Sequence, residues 1–451
     1  MENKEQGKLG LGACVAILAG GCIGSSIFSL SGMTMFYAGP ASIISWLLAA
    51  LILGMYGILV AELSIRYPKS GGVYVFPSRA IGSSERTGKI WGFIASWGYL
   101  CSNTIAVAFA AMYVGTYLGV SFEALSGPTM QIVLGIAACV LVIVLNLLKI
   151  TGAGKFNNIL VGGLVLCMLI YICVAFFSGT WNGANFSNFF GQGAMGTFGF
   201  LQAVPNAMTG YGSIVAIAFM VGEVKNPNRT VPKSLAIALT MVVFLYMLMI
   251  LSTMGNITTQ FLIDNPGMRF IPMFAAAFTT LSSVPWLSTI ISIAACIALI
   301  TTMLVVLALN ARAISSMADD GMMPHFLSKR NKNGVPMTGT LLIGALCIIL
   351  ACFPGITEIL VNMGSVIAAT TIMIVCYSFI CARKKHPHIE GNYQAPGGIA
   401  LAVIAIVLIL ISYIPGIING QGTMWLFTLG VYAVGVIVMF IFLSKNKKAN
   451  K

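Results

Sequence analysis

The groups in this 451-residue chain that could carry proton, metal or nucleophile chemistry are eleven acids, three histidines and eleven cysteines. The acids are Glu2, Glu5, Glu62, Glu85, Glu123, Glu223, Asp264, Asp319, Asp320, Glu358 and Glu390. All fall at the ends of apolar runs or between them, so no carboxylate pair sits at the mid-depth where ion and proton pathways are marked. His325, His386 and His388 lie in polar connections. The cysteines lie within apolar runs, with no CxxC or metal-ligand spacing, and read as small helix-packing hydrophobes. HExxH, GxSxG and Walker A patterns are absent. A hydrolase, a metal centre, a cofactor enzyme and an ATP-driven pump are therefore not expected. The chemistry left is that of the backbone. Two glycine clusters interrupt apolar runs: Gly20-Gly21-Cys22-Ile23-Gly24-Ser25-Ser26-Ile27-Phe28 and Thr209-Gly210-Tyr211-Gly212-Ser213. Glycine in a helix interior costs about 1 kcal/mol against alanine. Close helix packing is one reason to accept that cost. The other is a discontinuous helix, whose free N–H and C=O groups at mid-depth hold a charged solute.

These clusters need elements to position them. The chain is 58% apolar and 8% charged, with mean hydropathy +0.96. A soluble domain is roughly 45–50% apolar and about 25% charged. A soluble enzyme, a nucleic-acid binder, a disulfide-rich secreted module and a disordered chain are excluded. Apolar runs occupy 9–37, 41–65, 88–119, 128–148, 156–178, 197–223, 232–254, 282–317, 337–353, 357–382, 397–416 and 422–444. Each is long enough to cross a bilayer as a helix, and none alternates as a barrel strand would. The expected fold is an all-α polytopic membrane protein of twelve transmembrane helices. With the N-terminus in the cytosol, every Lys and Arg but Arg269 faces inward. The net charge of +13 is then a positive-inside signature. Both termini are expected to be cytosolic, in a multi-pass protein of the cell (inner or plasma) membrane. The first run reads as a span and not as a removable signal.

The glycine clusters fall in spans one and six, the corresponding members of a 5+5 inverted repeat, which favours broken helices. The expected organisation is a cytosolic tail 1–8, a first repeat 9–178 (spans one to five), a second repeat 197–382 (spans six to ten), spans eleven and twelve over 397–444, and a tail 445–451. The external connection 257–281 is expected to lie on the protein as a lid.

Four stretches in order resemble the amino acid–polyamine–organocation (APC) transporter superfamily. Gly24-Ser25-Ser26-Ile27-Phe28 is similar to its G-S-G-[IV]-F. Ala61-Glu62-Leu63 through Pro68-Lys69-Ser70-Gly71-Gly72-Val73-Tyr74 is similar to its P-x-x-G-G-x-Y region. Gly222-Glu223-Val224-Lys225-Asn226-Pro227, then Arg229-Thr230-Val231-Pro232, is similar to its E-x-x-N-P-x-[KR]-x-[VIL]-P. Met317-Ala318-Asp319-Asp320-Gly321, then Pro324, is similar to A-x-D-G-x-[FLM]-P. The resemblance implies a LeuT-like fold with broken helices one and six around a substrate. It implies a substrate carboxylate on the N–H groups of Ser25, Ser26 and Ile27, beside Gly24. It implies a substrate amine on carbonyls near Ile23 and those of Thr209, Gly210 and Gly212. Tyr211 and Ser213 complete this substrate-binding set, with a packing role left open for Tyr211. Ala95 and Val306 are placed at the gate and pocket wall.

Departures from the family pattern refine the expectation. Ser26 stands where the family has glycine. Thr209 stands where many relatives carry a bulky aromatic, and Val306 where the arginine–agmatine exchanger has Trp. With no acid in the pocket, a cationic substrate would lack a partner, so a small neutral amino acid is expected. Proton-linked relatives carry a Lys on span five, nine residues beyond a basic residue such as Lys155; here that position is Leu164. Thr301 and Thr302 could serve a sodium ion with span-one carbonyls. Exchange is the economical mechanism. The alternatives are an amino acid/amine precursor–product antiporter, a sodium- or proton-coupled symporter, and a substrate sensor without flux. The expected partners are a small-molecule substrate (amino acid or amine) and membrane lipid, not nucleic acid, with the oligomeric state open.

Overall fold

This computed structural model describes residues 9–68, 71–148, 155–386, 393–419 and 422–449. Glu2, Lys4, Glu5, Lys8, Lys69, Ser70, Lys149, His388, Glu390 and Lys451 lie outside the described residues. The helices are α1 (Leu11–Cys22), α2 (Ser25–Ala38), α3 (Ser42–Arg66), α4 (Gly72–Ala80), α5 (Glu85–Ser121), α6 (Pro128–Leu147), α7 (Lys155–Phe177), α8 (Gly199–Gln202) and α9 (Val204–Thr209). They continue with α10 (Pro227–Asn256), α11 (Thr259–Asp264), α12 (Pro272–Thr279), α13 (Trp286–Asp319), α14 (Met337–Ala351), α15 (Thr357–Lys385), α16 (Gly398–Ile418) and α17 (Gly422–Ala449). Among the described residues there is no strand, only the isolated bridges Leu9–Val224 and Arg330–Pro336. Nine helical stretches of the described residues are long and apolar enough to cross a membrane, and Leu11–Cys22 and Met337–Ala351 are shorter apolar helices. The chain is an all-helical, multi-pass membrane protein.

Local chemistry sets the helix starts. Proline occupies the first turn of α6, α9, α10 and α12, where its missing N–H costs nothing. Ser84 caps α5 by accepting from Thr87 N–H at 3.2 Å. Glu85 adds a negative charge at the same positive helix end. Lys89, one turn on, pairs with the Glu85 carboxylate at 3.0 Å. The 37-residue α5 packs against α4, α6, α13 and α15 and forms the spine of the bundle.

The two ends of the bundle are held differently. At the end bearing Arg66 and Arg383, the Glu62 carboxylate is 3% exposed. It accepts from Arg66 Nη2 at 2.9 Å, Arg383 Nε at 2.8 Å and Nη2 at 2.6 Å, and Ala395 N at 2.7 Å. Such a buried charge persists because its lone pairs are filled. At the opposite end the connection after α10 folds as α11, a turn and α12 over α2. The Arg269 guanidinium sits 3.7 Å above the Phe36 ring and donates to Leu262 O and Ile263 O. Phe270 packs edge-on to Phe109, with centroids 5.6 Å apart.

Candidate functional site

Span one is interrupted by two residues. Ile23 (φ −69°, ψ 82°) and Gly24 (φ −144°, ψ −151°) leave helical geometry between α1 and α2. Gly24 is required by close approach: a Cβ there would lie 1.9 Å from Thr302 Oγ1. Ser25 N–H donates to Thr302 Oγ1 at 3.2 Å, and Thr302 Oγ1 donates to Ala298 O at 2.9 Å. The N-cap residue of α2, Gly24, has no side chain to cap the helix. Its next N–H groups, on Ser26 and Ile27, have no intrahelical partner and lie at the positive end of the helix dipole.

Span six is interrupted more mildly than the sequence suggested. α9 stops at Thr209, but Gly210 (φ −64°, ψ −23°) keeps a right-handed helical backbone. Tyr211 (φ −109°, ψ 5°) then leads into a 3₁₀ segment, Gly212–Glu223. The reason for Gly210 is Trp46, whose Cζ3 would lie 2.5 Å from a Cβ at that position. Trp46 in turn donates from Nε1 to Thr34 Oγ1 at 2.9 Å, fastening α3 to α2. The Tyr211 ring lies in an aromatic group with Trp46 and Tyr246, at centroid distances of 5.8 and 5.3 Å. Of the two roles considered for Tyr211, the geometry is that of packing. The Gly210 carbonyl is also engaged, accepting from Tyr246 OH at 3.2 Å. The same hydroxyl donates to Cys22 O. Tyr246, on α10, thus holds one carbonyl from each interruption, a link the sequence did not reveal.

The interruptions meet at a cavity of about 140 Å³, with room for roughly five waters at about 30 Å³ each. Of the residues singled out in the sequence, Gly21, Cys22, Ser25, Ser26, Thr209, Gly212, Ser213, Thr302 and Val306 line it. Others are placed elsewhere. Gly210 and Tyr211 face the aromatic group. Thr301 turns its hydroxyl to Ile297 O and Ala298 O at 2.9 and 3.0 Å. Leu164 is buried in α7 away from the cavity. Ala95 is buried on α5 one turn before Tyr99 and does not line the cavity. Ile23, Gly24 and Ile27 lie at the break, and none of the three is among the residues that line the cavity.

The remaining walls were not read from the sequence. α5 supplies Tyr99, Ser102 and Asn103, and α15 supplies Gly364, Ser365 and Thr371. Asn103 Nδ2 donates to Asn310 Oδ1 at 3.2 Å, and buried Asn310 donates to Leu100 O at 3.4 Å. A signal was available: Ser102-Asn103 and Asn310 are polar side chains inside apolar spans, which need partners or a cavity. Leu30, Phe109 and Val361 close the cavity toward the α11–α12 connection, with Phe270 packed behind them. Among the described residues, no charged side chain lines the cavity. No group of three or more His, Cys, Asp or Glu among them could hold a metal.

A helical membrane bundle whose interrupted helices enclose an uncharged cavity defines a small-molecule transporter rather than an enzyme. The sequence pattern of the amino acid permease family matches residues 9–444, and the chain belongs to that family. It is 28% identical over 462 residues to the methylthioribose transporter of Bacillus subtilis (strain 168), covering 97% of this chain and 94% of that protein. The branched-chain amino acid permease BcaP of the same organism is 27% identical over 455 residues, covering 96% and 92%. The vacuolar cationic amino acid transporter 2 of Arabidopsis thaliana is 27% identical over 381 residues, covering 80% of this chain and 58% of that protein. The crystal structure of MhsT in complex with L-phenylalanine superposes with a TM-score of 0.62 at 15% identity, covering 91% of this chain and 99% of that one. The fold is LeuT-like.

Proposed function

We propose that this chain is a twelve-span secondary transporter of small neutral amino acids that works by alternating access as an exchanger. The observation that carries the reading is the N-terminus of α2, where Ser25 N–H is taken by Thr302 and the next N–H groups have no intrahelical partner, at a cavity lined by no charged side chain among the described residues. A zwitterion fits that pairing. Its carboxylate takes the N–H groups of Ser26 and Ile27 at the helix dipole. Its amine takes backbone carbonyls near Thr209 and Gly212, and its side chain lies against Val306 and Ser102. A cationic side chain would lose several kcal/mol of hydration with no carboxylate to replace it. The relative named for branched-chain amino acids supports the neutral class, whereas the one named for cationic amino acids does not match this uncharged cavity.

The twelve spans in this reading are α1 with α2, α3, α5, α6, α7, α8–α9 with the 3₁₀ segment, α10, and α13 to α17. Residues 9–178 and 197–382 form the inverted repeats, and the Lys/Arg distribution puts both termini in the cytosol. With Leu164 at the position of a coupling lysine, a second substrate molecule drives the return step. The sodium-coupled alternative rests on Thr302, which touches the span-one break.

Proteoliposomes test the reading. Uptake of labelled L-valine should need an internal neutral amino acid and should persist when sodium is replaced by choline. Uptake into empty vesicles that requires sodium, and is lost in Thr302→Ala, would replace exchange by symport. Binding without any flux would make the chain a sensor.

A further inference from the structure

We propose that Asn362, on α15, is a positioning residue that makes closure of the outer face depend on an occupied substrate site. The inference rests on the alternating-access reading above. A ring of polar contacts carries it. Thr209 Oγ1 donates to Asn206 O at 2.7 Å. Asn206 Nδ2 donates to Asn362 Oδ1 at 3.0 Å, and Asn362 Nδ2 donates to Tyr37 OH at 2.7 Å. The circuit closes between Thr209 Oγ1 and Ser26 Oγ, which stand 3.5 Å apart. Ser26 and Tyr37 both belong to α2, about 16 Å apart along its axis at ~1.5 Å per residue. The ring therefore lashes α2, α9 and α15 together from the cavity to the outer end.

Asn362 suits the crossing point because an amide accepts through oxygen and donates through nitrogen. It spends the first on span six and the second on span one. Its neighbour Val361 closes the cavity with Leu30 and Phe109, so the residue that ties the helices sits beside the roof. Parting α2 and α9 from α15, as outward opening requires, breaks both amide contacts.

The ring has one slack link. Three contacts fall at 2.7–3.0 Å. The hydroxyl pair Ser26–Thr209, at 3.5 Å, is longer than an ordinary O–H···O bond. Both hydroxyl-bearing residues line the cavity. A zwitterion whose carboxylate accepts from Ser26 Oγ–H and whose ammonium donates to Thr209 Oγ1 bridges that gap and completes the circuit, leaving the Thr209 proton on Asn206 O. Substrate then stabilises the outer-closed form through a differential contact, which is what coupling between the two requires.

The test uses the full-length chain in nanodiscs and in vesicles of defined orientation, with L-valine as the probe. Asn362→Leu should raise amide exchange in the peptides spanning α2 and α9 in substrate-free protein, and leave α5 and α13 unchanged. In vesicles it should shift the ratio of external to internal KM at least tenfold toward tighter external binding. Tyr37→Phe, which removes one link at nearly constant volume, should shift the ratio in the same direction by less. Thr209→Val and Asn362→Leu should be non-additive in that ratio, as members of one circuit are. A general loss of stability would raise exchange everywhere and leave the ratio alone. Unchanged exchange in α2 and α9 together with a ratio within twofold of the parent, in folded Asn362→Leu and Tyr37→Phe, overturns the proposal. If the parent chain does not take up L-valine, the substrate reading falls. The exchange measurement then decides the ring by itself, because it needs no ligand.

Discussion

Gly24→Ala is the sharpest perturbation that the site offers. The backbone at Gly24 (φ −144°, ψ −151°) is extended and open to any residue. The added methyl is the whole of the change. It would lie 1.9 Å from Thr302 Oγ1, 3.3 Å from Thr302 Cβ and 3.7 Å from Ala298 O. Thr302 cannot yield freely, because its hydroxyl donates to Ala298 O and accepts from Ser25 N–H. Rotating it away breaks two hydrogen bonds at about 1 kcal/mol each and leaves the Ser25 N–H unpaired, which adds ~1–3 kcal/mol. Retaining it instead pushes α2 off α13 by more than an ångström. The first outcome costs roughly 3–5 kcal/mol at the break, a factor of about a hundred to a few thousand in affinity at about 1.4 kcal/mol per decade. The assay is equilibrium binding of labelled L-valine to purified protein, with the melting temperature as a folding control. Removing the obstacle should rescue. In Gly24→Ala/Thr302→Ala the nearest remaining atom is the residue-302 Cβ at 3.3 Å, so binding should return to within about tenfold of Thr302→Ala alone. Parent-like binding in Gly24→Ala, or no recovery in the double variant, would refute the geometry of the break.

Three further outcomes are expected. Tyr246→Phe removes the donor shared by Cys22 O and Gly210 O; it should cost ~1–3 kcal/mol, seen as a lower melting temperature together with slower counterflow, and an unchanged rate would show that the two interruptions move independently. Thr209→Phe should fill the cavity beside Ser26 and abolish L-valine binding without unfolding the chain, and unaltered affinity and substrate range would remove Thr209 from the pocket. Glu62→Gln leaves Arg383 and Arg66 without their carboxylate in a buried setting, so it should cost ~3–5 kcal/mol of stability while the external-to-internal KM ratio stays as in the parent.

What the sequence made legible follows from how strongly each feature constrains one stretch of chain. Apolar length alone marks helices such as α5, α13 and α15, because lipid leaves the backbone no other way to satisfy its hydrogen bonds. The interruption at Gly24 is legible for a similar reason: a glycine cluster inside an apolar run has few other uses. The expectation for Gly210 was less accurate, and the cause is specific. Its lack of a side chain serves Trp46, 164 positions earlier in the chain, and no local pattern encodes that contact. The Tyr246–Gly210 link joins residues 36 positions apart, and the Asn362–Tyr37 link joins residues 325 apart. A lone Tyr or Asn in a span reads only as a polar group needing a partner, and the partner is set by tertiary packing. The α5 wall lies between these cases, since Ser102-Asn103 was visible as a polar pair but its direction was not.

The fastenings at the two ends of the bundle differ in kind, and the difference bears on which end opens more readily. Around Glu62 the α3–α15 junction is ionic and nearly dry, with four donors on one carboxylate. Separating such a group exposes an uncompensated charge, at ~3–5 kcal/mol. At the other end α2, α9 and α15 are joined by neutral amides and a phenol, worth about 1 kcal/mol net each. The Arg269–Phe36 contact adds about 0.5–2 kcal/mol. Water can replace each of these as the helices part. A displacement that keeps the Glu62 junction intact and breaks the amide ring costs on the order of 2–4 kcal/mol, a range that thermal motion samples and that substrate binding can reverse. In the alternating-access reading the α3–α15 junction is therefore the fixed point, and outward opening is a hinge about it.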